Sequence, residues 1–322
     1  MVMSKDEDNK TLCAAFWRHI NVRSNNEIFP CCRYKQSVAK FTGDLADILD
    51  YRIYENLRAD SISGKFNPNC QKCYHEDSIG VKSLRQTFNE QYDIETVGLE
   101  FLEIGFDNIC NLTCDGCNGE LSLAWADIER PDIATKSKLR SISPITSIPS
   151  SVNKILFLGG EPLMTTRHHD LLNLVVDKSR VSVVYNTNGT FLLSQTTIDL
   201  LNKFKSVEFV ISIDGYDRLN EQVRQGSKWS DVLEFIKQIK TLDFDLLVHT
   251  VLHMNNWQGI GDLWKFIQAN QLRWRVNPLT YPKNLDIINL TADQRKKFIE
   301  IVNEIDLLDQ NDFYILNTIT AH

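Results

Sequence analysis

A chain of 322 residues has room for one large α/β domain with an appendage, or for two domains, and 43% hydrophobic with 24% charged residues is ordinary globular composition. A formal net charge of -7 argues against a broad nucleic-acid-binding face. No apolar run approaches the length of a membrane span, and the polar, acidic start Met1 to Lys10 reads as a disordered lead-in rather than a signal segment, so a cytoplasmic protein without a membrane partner is expected.

All 8 cysteines (Cys13, Cys31, Cys32, Cys70, Cys73, Cys110, Cys114 and Cys117) fall before residue 118. In a reducing compartment that clustering points to metal rather than to disulfides. Residues 17–23 read as a strand, 24–26 as a turn and 27–30 as a second short strand, a hairpin with Cys13 before it and Cys31 at its exit. Apolar residues at 45, 48, 49, 53 and 57 predict a helix over 44–58. Cys70 and Cys73 come next in a C-x2-C pair, then a polar helical connector to about residue 96.

From residue 99 the pattern changes to strands alternating with helices. Strands are predicted at 99–105, 154–158, 181–187, 207–213, 246–252 and 272–277, and helices at 118–129, 167–179, 195–205, 230–241 and 257–269. Such βα repeats require a parallel sheet with helices outside, in an α/β fold that builds its site at the carboxyl ends of the strands. The Ser/Pro-rich stretch 130–151 reads as a long, mobile connection, 291–307 as a last amphipathic helix, and 308–322 gives no clear signal. The expected division is 1–10 lead-in, 11–96 cysteine-rich α+β module and connector, 97–290 core, and 291–322 helical extension.

The motifs fall at the predicted strand ends. Cys110-Asn-Leu-Thr-Cys114-Asp-Gly-Cys117 offers three thiols from one loop, and a four-iron cluster held by three would leave one iron open to an outside chelator. Zinc is the ordinary alternative, although a closed zinc site takes four ligands. Strand two ends in Gly159-Gly160-Glu161-Pro162, whose glycines allow close backbone approach and whose carboxylate can accept from an ammonium. Asn186-Thr-Asn188-Gly189 ends strand three, and Ser212-Ile-Asp-Gly215, succeeded by Arg224, ends strand four. An arginine fork suits a carboxylate, while its bland reading is a surface salt bridge. His249, Val251 and His253 share one strand face, as do Arg273, Arg275 and Asn277, suggesting a polar cavity in which Arg273 and Arg275 grip a carboxylate or phosphate. His168 and His169 read as solvent-exposed.

The C-x3-C-x2-C loop after a first strand, with GGEP downstream, resembles the radical S-adenosylmethionine (SAM) enzymes. The resemblance implies a partial (β/α)6 TIM-like barrel and a [4Fe-4S] cluster on Cys110, Cys114 and Cys117 whose open iron is chelated by SAM. It also implies SAM contacts from Gly159, Gly160 and Glu161 to the amino group, from Asn188 nearby, and from Ser212 and Arg224 to ribose and carboxylate. The N-terminal block resembles a twitch or SPASM auxiliary module, with Cys13, Cys31, Cys70 and Cys73 as ligands of a second [4Fe-4S] cluster. In this chain Asn26 stands where that module usually has glycine, the module precedes the core, and Gly116 stands where the family often has an aromatic residue. The resemblance further implies an oxidoreductase or transferase-type enzyme. It would be fed by a flavodoxin- or ferredoxin-type donor and would abstract hydrogen from a small polar or peptide substrate. The rivals are a non-catalytic zinc or iron-sulfur protein and a degenerate SAM-binding fold.

Overall fold

The computed structural model describes residues 9–305. Most of the expected lead-in and residues 306–322 of the expected C-terminal extension lie outside the described residues. The chain opens with a single helical turn, α1 (Ala15–Arg18), and a hairpin of β1 (His19–Arg23) and β2 (Glu27–Phe29), with the short β3 (Ala39–Lys40) beside it. Helices α2 (Arg52–Ile62), α3 (Gln71–Ser78) and α4 (Leu84–Gln91) come next. The core then runs β4 (Phe101–Gly105), β5 (Thr113–Cys114), α5 (Leu123–Glu129), α6 (Thr135–Lys138), β6 (Lys154–Leu158), α7 (Arg167–Leu174), β7 (Ser182–Thr187), α8 (Gln195–Leu201) and β8 (Ser206–Ser212). It closes with α9 (Arg218–Val223), β9 (Arg224–Gln225), α10 (Trp229–Thr241), β10 (Asp245–Leu252), α11 (Ile260–Ala269), β11 (Arg273–Pro278) and α12 (Ala292–Asn303).

Among the described residues a nine-stranded sheet takes the order β11-β10-β8-β7-β6-β4-β1-β2-β3, parallel throughout from β11 to β1. This mostly parallel α/β sheet agrees with the partial barrel expected from the sequence. One face, with Leu102, Ile104, Phe157, Tyr185, Phe209 and Val248, packs against Leu171, Leu201, Phe235 and Leu263 of the helices in one large core. Alternation sends the other set of side chains, Glu103, Leu158, Ser212, His249 and Asn277 among them, to the opposite face.

The cysteine hairpin extends this sheet: β1 lies parallel to β4 with Asn21 opposite Glu103. Asn21 Nδ2 donates to Glu103 at 2.6 Å, and the fully buried His19 donates from Nδ1 to the Pro30 carbonyl at 2.7 Å, immediately before Cys31. The expected boundary near residue 96 therefore falls within one continuous sheet.

Several predicted elements shift for identifiable reasons. The strand expected from Trp17 begins at His19, because Ala15 to Arg18 close a helical turn whose Phe16 and Trp17 fill a second, smaller core with Tyr34, Leu57, Phe88 and Tyr92. The helix expected at 44–58 starts at Arg52, after Asp47 takes a left-handed φ of 57° and a 3₁₀ turn over Ile48–Asp50 intervenes. Asn26 adopts φ 60°, the left-handed turn conformation in which asparagine substitutes for glycine. The stretch 130–151 carries α6 and is pinned to the end of β4, where Asn108 donates to Lys138 O at 3.2 Å and accepts from Arg140 N at 2.9 Å. The mobile connection expected there is a tethered one.

Candidate functional site: two cysteine pockets

Cys110, Cys114 and Cys117 line an open pocket of about 1000 Å³ together with Gly159, Gly160, Glu161, Asn188, Ser212 and Arg224. Thus every residue singled out for cluster and SAM binding meets at one site, beyond the ends of β4, β6, β7 and β8. The cysteine loop is held by its own surroundings: Ser122 Oγ donates to Leu112 O at 2.8 Å and the Trp125 indole to Cys114 O at 2.9 Å. Cys114 sits on β5, whose antiparallel partner is β9, so backbone pairing alone sets Arg224 opposite Cys114.

The glycines of Gly159-Gly160 serve the protein's own packing. A Cβ on Gly160 would lie 2.1 Å from Ile109 O, and Gly160 N and Glu161 N donate to Asp107 O and Ile109 O at 3.0 and 2.6 Å. Close approach is thus required between this turn and the chain entering the cysteine loop, while both glycines also border the pocket. Glu161, 2% exposed, also braces the turn: its carboxylate accepts from Leu163 N at 3.1 Å, Thr187 Oγ1 at 2.8 Å and Asn188 N at 2.7 Å. Burial raises its pKa above the ordinary carboxylate value despite those donors. Asn188 in turn donates to Asn111 Oδ1 at 2.9 Å, tying the Asn186–Gly189 turn to the cysteine loop.

Arg224 is no surface salt bridge. It pairs with Asp214 at 2.7 Å, the two side chains being only 12% and 4% exposed, and its buried Nε has no hydrogen-bond partner. Its pKa is driven above the arginine norm; burial opposes the charge, but Cys114 and Asp214 outweigh it. Gly116 has φ +76°, and a Cβ there would come within 2.9 Å of Leu279 Cδ2. Leu279, just past β11, abuts Gly116 and lines the pocket beside it.

The second pocket, about 430 Å³, is lined by Cys13, Cys31, Cys70 and Cys73, with Phe16, Leu84 and Phe88 as apolar walls. Cys32 is exposed and does not line it, which separates the adjacent pair Cys31 and Cys32. Arg33 and Arg85 border the cavity and are paired with Glu76 and Asp77.

The chemistry of both donor sets fits a metal-sulfur group. All the thiols are free. Burial pushes Cys114 and Cys70 up to about 12 and Cys117 to about 11, and raises Cys110, Cys13 and Cys31 as well. Burial outweighs the lowering effect of Arg224 and Arg85, so these thiols are inert as nucleophiles until they become thiolates on binding metal. Among the described residues no three His, Cys, Asp or Glu side chains are grouped as the ligands of a single metal ion would be.

The polar rows on the last two strands divide. Asn277 Nδ2 approaches His249 Nε2 at 2.7 Å, and burial with Arg275 nearby depresses His249 to about 4, so it is neutral at ordinary pH. Arg273 instead pairs with Glu208 at 2.9 Å at the opposite end of β11, which removes it from any grip at the strands' carboxyl ends. His253 is 1% exposed and lies off the cavity surface. His168, expected in solvent, is 3% exposed with Nδ1 2.7 Å from the Tyr185 hydroxyl. Sequence reasoning passed over Asp214, Leu279 and Asn111; Asp214 stands inside the Ser212–Gly215 motif and was readable there as a carboxylate near Arg224.

A sheet of this order with a three-cysteine loop at its carboxyl edge defines a class, and comparison with known proteins names it. The model of the Radical SAM superfamily matches residues 105–267, and the chain belongs to that superfamily of enzymes. Among curated proteins it resembles the GTP 3',8-cyclase of Nostoc punctiforme, 27% identical over 154 residues covering 46% of this chain and 46% of that protein. The GTP 3',8-cyclase of Aliarcobacter butzleri is 26% identical over 137 residues, 42% of this chain and 40% of that one. The aligned part thus spans less than half the length of either relative. Solved structures with a similar trace include anSMEcpe with bound AdoMet (TM-score 0.47, 15% identity, 64% of this chain and 57% of that chain). Another is Streptococcus suis SuiB bound to S-adenosylmethionine (TM-score 0.41, 18% identity, 79% and 49%). No helix among the described residues is long and apolar enough to cross a membrane.

Proposed function

We propose that this chain reductively cleaves SAM at the Cys110, Cys114 and Cys117 site and uses the resulting 5'-deoxyadenosyl radical to abstract hydrogen from a small polar or peptide substrate. The observation that carries the reading is that these three thiols share one pocket with Ser212 and Arg224. Cys110, Cys114 and Cys117 would hold a [4Fe-4S] cluster, which would supply the electron and, with only three protein thiolates, would keep one iron available to SAM. Arg224 offers a guanidinium edge to the SAM carboxylate. The backbone of Gly159 and Gly160 and the Ser212 hydroxyl border the space for its amino group and ribose, with Leu279 and Leu121 as apolar walls. Glu161 acts through the turn it braces.

Cys13, Cys31, Cys70 and Cys73 would hold a second [4Fe-4S] cluster. Four thiolates leave no iron open, so this group suits electron storage, such as oxidation of a substrate radical, better than substrate coordination. A flavodoxin- or ferredoxin-type protein would supply electrons. The neutral His249 and its partner Asn277, adjoining Ser212 across β8 and β10, suit hydrogen bonding to a polar substrate.

The test is anaerobic reconstitution and then addition of SAM and dithionite, with 5'-deoxyadenosine quantified. Formation of deoxyadenosine is expected. Loaded clusters that bind SAM without forming it would mark a degenerate fold, and zinc without an iron-sulfur chromophore would mark a metal-binding protein.

A further inference from the structure

Arg224 is the only cation that the pocket's wall supplies among the described residues, and its position depends on one side chain. Asp214, two residues past the end of β8, accepts from Arg224 Nη1 through Oδ2 at 2.7 Å and from Val251 N through Oδ1 at 2.7 Å. Its main chain is fixed as firmly. The Asp214 N–H donates to Asn220 Oδ1 at 3.0 Å, and its carbonyl accepts from Asn256 Nδ2 at 2.8 Å. Asn256 Nδ2 also donates to Val251 O at 2.8 Å, and its Oδ1 accepts from His253 N at 2.7 Å. Asn220 and Asn256 are buried, 0% and 2% exposed, so these bonds are shielded from competing water.

The result is a carboxylate that cannot swing. One oxygen is occupied by the backbone of β10 and the other by one corner of the guanidinium. Arg224 is fixed at its other end by the pairing of β9 with β5. Its Nη1 is spoken for, while its Nε is buried without a partner. A guanidinium offers a second, parallel pair of N–H groups along its Nε edge, the geometry that takes a carboxylate with two bonds.

We propose that Asp214 is a positioning residue. By holding Nη1 of Arg224 and the β10 backbone together, it orients the unpaired edge of Arg224 for the carboxylate of an amino-acid-bearing ligand. The ligand is SAM under the proposed function, on which this inference rests. Asp214 borders the same pocket, but its two oxygens are taken by Arg224 and the Val251 N–H, so Arg224 reads the carboxylate and Asp214 decides where Arg224 stands. An ordinary buried ion pair would stabilise the fold without affecting ligand affinity through Arg224. The two roles therefore separate in a coupling experiment.

The experiment measures SAM affinity of iron-loaded protein by calorimetry, and independently by the change SAM causes in the electron paramagnetic resonance spectrum of the reduced cluster. It compares wild type, Asp214→Asn, Arg224→Ala and the double variant. Asp214→Asn keeps an oxygen for Val251 N and loses the charge that anchors Arg224. It is expected to weaken SAM binding by about tenfold or more, with iron content and melting temperature near wild type. In the Arg224→Ala background the same change is expected to have no further effect on affinity, the signature of one residue acting through the other. Equal losses in both backgrounds, or unchanged affinity in Asp214→Asn, would overturn the proposal. Should Asp214→Asn fail to load iron, Asp214→Glu, which keeps the charge one methylene further out, is expected to load and still bind SAM more weakly; wild-type affinity there would overturn it equally. Iron-loaded wild type that does not bind SAM would sink the proposed function itself, whereas normal wild-type binding with independent variants would sink only the role of Asp214.

Discussion

The two cysteine pockets are built on opposite principles. At the mouth of the sheet, three thiols share an open space with turn backbone, a serine hydroxyl and a guanidinium that has a buried, unpartnered edge. In the N-terminal block, four thiols line a smaller cavity walled by Phe16, Leu84 and Phe88, with Lys72 at its rim beside Arg33 and Arg85, the two arginines being paired with Glu76 and Asp77. One site has a buried, unpartnered guanidinium edge and room for a ligand; the other is smaller and has its arginines held by carboxylates. Under the proposed function that difference would separate a site that binds and reacts from one that stores charge, and it is absent from the cysteine spacing itself.

The strongest way to break this contrast is to empty the first site. The triple change Cys110→Ala, Cys114→Ala, Cys117→Ala is expected to abolish deoxyadenosine formation and to leave about four irons per chain, measured by colorimetric iron assay. Next in size, Arg224→Ala should weaken SAM binding by roughly 10- to 100-fold in calorimetry, because a charged hydrogen-bond pair in a shielded pocket is lost. The metal-free protein should lose stability in alkali. The buried thiols keep their protons up to about 11 to 12 in the folded chain, whereas unfolded thiols ionise near about 8.5. The folded state then binds more protons than the unfolded one, so stability is full below about 8.5 and declines as pH rises toward 11 to 12, a fall that chemical denaturation at stepped pH would track. Gly116→Ala should cost about 1–2 kcal/mol in the same assay, since it forces a side chain into a left-handed conformation and against Leu279. Smallest of all, Cys32→Ser should leave iron content unchanged, whereas Cys31→Ser should lower it.

The mostly parallel α/β sheet, and the gathering of the motif residues in one pocket at its edge, were legible in the sequence for a plain physical reason. Alternating apolar strands and amphipathic helices have periods set by the backbone, and Cys110 to Cys117, Gly159-Gly160, Ser212 and Arg224 stand at fixed places after those strands. What it hid depended on partners distant in the chain. Nothing local says that Glu161 accepts from Thr187 and Asn188, that Arg273 finds Glu208 and Asp245, or that His168 is buried against Tyr185. The hairpin was visible, down to the left-handed turn at Asn26, but its parallel docking on β4 rests on His19, Asn21 and Glu103, more than eighty residues apart for the last pair. Gly116 stood out in the sequence, but that Leu279, from the far end of the sheet, packs against it could not be read there.

Separate clusters on the two cysteine sets, of which only the three-thiol one reacts, are the centre of the proposed function. The direct measurement is iron content together with deoxyadenosine yield for wild type, for the triple variant, and for Cys13→Ala, Cys31→Ala, Cys70→Ala, Cys73→Ala combined. The expected values are about eight, four and four irons respectively, with deoxyadenosine formed by wild type and by the last variant but not by the triple variant. Deoxyadenosine from the triple variant, or loss of all iron when either set alone is removed, would contradict it.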